Sequence, residues 1–149
     1  RLFKFINLTF RGTVEFRSIC TQPIRDSMCV AAFHLGLKDK LDELEEIVSK
    51  DNVLYHRGYT AGELRKLLIQ DKLPEFINLD CLCDLSREIV DLACDGLEQR
   101  GIGEEIFLNP LYDRIKRRSN PGKDVIKSVN NGTEIEKIIE DYGKLGITI

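Results

Sequence analysis

Arg11-Gly-Thr-Val-Glu-Phe-Arg-Ser-Ile-Cys-Thr-Gln-Pro23 is the stretch on which the reading of the fold turns. With a period of two, Arg11, Thr13, Glu15 and Arg17 share one face of a strand, while Val14 and Phe16 share the other. One face packs and the other carries charge. A carboxylate flanked by guanidinium groups on a rigid element is where a precise polar site is built. The same pattern also has a purely structural reading, a solvated strand face with cross-strand ion pairs.

Upstream, Leu2-Phe-Lys-Phe-Ile-Asn-Leu-Thr-Phe10 alternates too, with Phe3, Phe5 and either Leu8 or Phe10 as inward positions. Residues 2–10 and 13–20 therefore read as two antiparallel strands joined at Arg11-Gly12, where glycine supplies the backbone freedom of a turn. A lone hairpin is marginal in water. Because the chain opens at Arg1 on a strand pattern, the expectation is a C-terminal piece of a longer protein that begins inside a sheet.

Downstream the period changes. Thr21-Gln22-Pro23 reads as a helix start, with the cap at Thr21 or Gln22 and proline in the first turn. Ile24, Met28, Ala31, Ala32 and Leu35 keep helical spacing until Gly36, and the alanine pair allows close approach, so this helix is expected to lie beside the hairpin. A second helix, about 38–50, carries Leu41, Leu44, Ile47 and Val48 on one side and a solvated charge run elsewhere. Thr60-x-x-Glu63 is a capping box opening a third, with Leu64, Leu67 and Leu68 as its stripe. Residues 79–99 form the longest pattern, closed by Arg100-Gly101. Residues 103–117 follow, with Pro110 forcing a kink or a break. Asn120-Pro121 restarts a helix that runs to Asn131-Gly132, and Thr133-x-x-Glu136 reads as a second capping box opening the last one. The expected class is α+β: an N-terminal β-hairpin, remnant of an antiparallel catalytic sheet, over 1–22, then a bundle of six to seven helices over 23–149.

Composition sets bounds on function. The chain has 149 residues, 42% hydrophobic and 32% charged, with net charge −3, the profile of an ordinary globular chain. Slight acidity argues against binding nucleic acid by phosphate neutralisation, and no apolar run reaches membrane-spanning length. Arg114 with Lys116-Arg117-Arg118 is the one basic cluster and reads as the solvated end of a helix. Five cysteines, Cys20, Cys29, Cys81, Cys83 and Cys94, lack the spacing of a disulfide framework, so a reducing cytoplasm is the expected compartment and small thiols the expected role. Cys81-x-Cys83 has no second ligand pair of the kind zinc needs. The loop His56-Arg57-Gly58-Tyr59 carries groups able to touch a ligand, although a plain surface connection explains it as well.

Thr13-Val-Glu-Phe-Arg-Ser-Ile-Cys-Thr-Gln-Pro23, a strand with Glu-x-Arg-Ser and a proline eight residues after the glutamate, closely resembles the terminal active-site strand of glutamate–cysteine ligases, carboxylate–amine ligases with a glutamine-synthetase-like catalytic sheet. Ala31-Ala-Phe-His-Leu-Gly-Leu37 resembles the helix that follows it there, and Asn109-Pro-Leu-Tyr-Asp-Arg-Ile115 and Asn120-Pro-Gly-Lys-Asp124 are similar, less specifically, to the C-terminal helical region.

The resemblance implies an ATP-dependent ligase of glutathione biosynthesis that phosphorylates the γ-carboxylate of glutamate and passes the acyl group to the amine of cysteine. It further implies Glu15 as a Mg²⁺ ligand and Arg17 as the catalytic, ATP-binding guanidinium over the transferring phosphoryl group, an arrangement in keeping with the need of phosphoryl transfer for positioned positive charge. Arg11 shares the alternating face and is assigned to ATP binding, as a bidentate partner for a carboxylate or phosphate. Cys20 and Cys29 are expected to be structural, since the nucleophile is the substrate amine. One carboxylate makes one wall of a site, so the 149 residues alone are expected to be inactive and to need the missing N-terminal part of the same protein. The expected partners are glutamate, cysteine and ATP, with neither nucleic acid nor membrane, and oligomers are allowed through an exposed strand edge. Two alternatives stay open: a related ligase with a different amine acceptor, and a non-catalytic helical interaction module.

Overall fold

The computed structural model describes residues 6–8, 10–16, 21–52, 58–70 and 72–145. Their architecture is helical. Seven α-helices are present among the described residues: α1 (Met28–Leu37), α2 (Leu41–Lys50), α3 (Ala61–Leu68), α4 (Leu79–Glu98), α5 (Asn109–Arg117), α6 (Pro121–Asn130) and α7 (Ile135–Tyr142). Two 3₁₀ turns, Ile24–Asp26 and Glu104–Leu108, precede α1 and α5.

The expected α+β class is overturned by this arrangement. The N-terminal stretch contributes six paired residues, β1 (Ile6–Leu8) and β2 (Val14–Phe16), in one antiparallel ladder with Ile6 opposite Phe16, Asn7 opposite Glu15 and Leu8 opposite Val14. A ladder that short is no sheet layer, and no further strand among the described residues extends it. Alternation is a local signal, whereas a sheet needs neighbours, and this chain spends its apolar residues on helices.

By its internal contacts the chain divides into two compact units. The first comprises Arg1–Val30 with Asn120–Ile149, the second Ala31–Ser119. The boundary falls inside α1.

The second unit is organised on α4. Asn78 caps it, its Oδ1 accepting from the amides of Asp80 at 2.7 Å and Cys81 at 3.4 Å. Ala32 and Leu37 of α1, Val90, Ala93 and Leu97 of α4, and Leu108 form the buried core, with Leu44, Leu111 and Ile115 packed against it. Where α1 crosses α4 the backbones touch. A Cβ on Gly36 would lie 2.8 Å from the Ala93 carbonyl carbon, and one on Gly96 would lie 2.9 Å from the carbonyl carbon of Gly36, with the carbonyl oxygens closer still. That crossing decides which side of α1 is buried: Ala32 and Leu37 are inside, whereas Met28 and Ala31, on the stripe read from the sequence, are exposed. Gly36 thus lies within the helix and is no stop signal.

Pro110 breaks the expected 103–117 helix in two, because it enters the first turn of α5 and leaves 104–108 as a 3₁₀ turn. Arg118 closes α5 in the left-handed region, at φ 53°.

In the first unit, Asn120 Oδ1 accepts from the Lys123 amide at 2.9 Å and opens α6 with Pro121 at its first position. The Tyr142 hydroxyl donates to the Pro121 carbonyl at 3.1 Å, tying α7 to α6, and Arg25 meets Asp141 at 3.4 Å on the surface. The second capping box does not form: the cap of α7 is Glu134, with no side-chain bond. The amides of Gly132 and Thr133 instead donate to the carbonyls of Val129 and Ser128, so Thr133 belongs to the end of α6.

Candidate functional site

The residues expected to carry chemistry cluster at the N-terminal ladder. Glu15 stands at the centre of β2, opposite Asn7. Gly12, at φ 76°, lets the chain reverse between the strands. Arg11 lies in that turn and not on the strand, so strand alternation does not relate it to Glu15. It is exposed, and its guanidinium carbon sits 5.3 Å from the centroid of the Phe10 ring, itself 94% exposed. Such a contact in water is worth roughly 0.5–1 kcal/mol and leaves the guanidinium donors facing solvent. Arg17, Ser18 and Cys20 lie outside the described residues, as do His56 and Arg57. Beyond the turn, Gln22 is anchored: the thiol of buried Cys29 donates to its amide oxygen at 3.4 Å.

These residues do not by themselves make a metal centre. Among the described residues no group of three His, Cys, Asp or Glu side chains could hold an ion. A magnesium ion takes as few as one or two protein carboxylates and fills its other positions with phosphate oxygens and water, so Glu15 fits as one ligand of such an ion but not as a complete site.

The second unit carries an open groove of about 530 Å³ between α2 and α4. Glu43 and Glu46 line one wall, Asp84 and Glu88 the other, with Ile47 and Leu85 between. Lys50 pairs with Glu46 and holds that carboxyl below its usual range through the hydrogen bond first and charge second. The wall charges are mostly negative, which repels a nucleotide polyphosphate. The helical spacing of Glu43, Glu46 and Lys50 was visible in the sequence; that Asp84 and Glu88 face them across the groove depends on how α2 packs on α4.

A second cluster joins α4 to α5. The Tyr112 hydroxyl donates to Asp91 Oδ1 at 2.7 Å, and the Cys94 thiol reaches Glu98 Oε1 at 3.7 Å. Burial and then the Asp91 carboxylate push the Tyr112 phenol well above its usual value, and burial followed by the Glu98 charge raises the Cys94 thiol. Both groups are held neutral at physiological pH, the opposite of an activated nucleophile. The basic end of α5 is likewise engaged: Arg117 Nε pairs with Asp113 at 2.7 Å, and Arg118 pairs with Asp80. Tyr59, from the loop with ligand-touching groups, stacks on Phe76 with centroids 5.7 Å apart and planes 8° from parallel. Of the cysteines, Cys29 is buried, Cys83 and Cys94 are half-buried and Cys81 is exposed. Among the described residues, no helix is long and apolar enough to cross a membrane.

No protein-family model, curated protein or solved structure matches this chain.

Proposed function

We propose that these residues are part of an ATP-dependent ligase that joins glutamate to cysteine, the first bond of glutathione, in the reducing cytoplasm. The observation that carries the reading is Glu15-x-Arg17-Ser18 with Pro23 eight residues after the glutamate, a spacing in which Glu15 occupies the middle of a paired strand. In this reaction an oxygen of the glutamate γ-carboxylate takes the terminal phosphoryl group of ATP, and ADP leaves. The amine of cysteine then displaces phosphate from the acyl carbon and loses a proton. Glu15 offers a carboxylate oxygen to the Mg²⁺ that accompanies ATP, and Arg17 stabilises the charge spread over the transferring phosphoryl oxygens. Arg11, whose guanidinium stands free of the strand, is available to a carboxylate or phosphate of the substrates. One carboxylate does not complete such a site, so the 149 residues alone are inactive and the rest of the protein supplies the other ligands.

The test is ADP release by the full-length protein containing this segment, with glutamate and a panel of amino-acid acceptors. The expected outcome is turnover that requires glutamate and is fastest with cysteine. Glu15→Gln lowers that turnover by about 100-fold or more at unchanged melting temperature, as removal of a charge-stabilising group does. A faster rate with another amine transfers the proposal to a different acceptor. No glutamate-dependent ADP release, or full activity in Glu15→Gln, overturns it. A second reading, a helical interaction module, draws on the core of Ala31–Ser119, which is built from helices and their flanking turns. In that case Glu15→Gln changes nothing measurable.

A further inference from the structure

We draw no further inference here: the strongest candidate, the open acidic groove between α2 and α4 lined by Glu43, Glu46, Asp84 and Glu88, rests on a cluster of carboxylates alone, and nothing in the structure shows what occupies it.

Discussion

Gly96→Ala should unfold this protein more easily, although alanine is the better helix former. In an ordinary helix interior the change gains about 1 kcal/mol. At position 96 the added methyl would lie 2.9 Å from the carbonyl carbon of Gly36, where ordinary contact begins at 3.4 Å, so the helices must part by at least roughly half an ångström. The obstacle is backbone, which has no rotamer to move aside. Overpacking a tight interior typically costs about 1–3 kcal/mol, and parting α1 from α4 also loosens Ala32, Ala93 and Leu97. The net expectation is a loss of about 2 kcal/mol, which for a urea dependence of about 1.5 kcal/mol per molar lowers the unfolding midpoint by more than about 1 M. The assay is urea unfolding of the 149-residue chain followed by far-ultraviolet circular dichroism. Gly62→Ala is the internal control: it lies in α3 with nothing within 4 Å of an added Cβ, and should gain about 0.5–1 kcal/mol. If Gly96→Ala matches or exceeds the parent midpoint while Gly62→Ala behaves as stated, the backbone contact between α1 and α4 is wrong.

Asn78→Ala removes the acceptor for two amides at the start of α4 and should cost about 1 kcal/mol, read in the same titration. Arg118→Gly relieves a left-handed residue of about 1 kcal/mol of strain and loses an exposed ion pair with Asp80 worth at most about that much, so stability should hold at low salt and rise at high salt; a loss at high salt contradicts the assignment. The Tyr112 phenol ionises at higher pH folded than unfolded, so its contribution is complete below about pH 10 and drains away as pH climbs from there toward the folded value. Tyr112→Phe should therefore flatten the alkaline fall in melting temperature; identical slopes in parent and variant would count against the Asp91 hydrogen bond.

The helices were legible where their signals are local. The capping box at Thr60 forms with both of its bonds, because Thr60 and Glu63 need only each other: the Glu63 amide donates to Thr60 Oγ1 at 3.3 Å and the Thr60 amide to Glu63 Oε2 at 2.8 Å. Asn120-Pro121 and the span of α4 were readable for the same reason. The pattern at Thr133 failed because the end of the preceding helix claimed that residue first. The burial of α1 was misread because an absent side chain, that of Gly36, governs its packing, and a search for apolar periodicity weighs only side chains that exist. The strand class failed at a longer range, since residue alternation cannot report whether a third strand is present to make a sheet. At the candidate site, the central place of Glu15 in its ladder follows the alternation, whereas Arg11 falls in the turn that the same alternation had run through. The groove and the Tyr112–Asp91 bond bring together residues on different helices, information that one-dimensional spacing does not hold.

The position of α4 in the chain has a consequence for how the Ala31–Ser119 unit assembles. Its partners arrive from both directions: α1 and α2 before it, the 104–108 turn and α5 directly after. Each therefore docks by closing only a short or moderate length of chain, and the entropy of closure grows slowly over such lengths. A central strut with neighbours on either side in sequence gives a low mean separation between touching residues, the topology associated with rapid search. The helix that holds the core together is also the one that spares the chain its longest excursions.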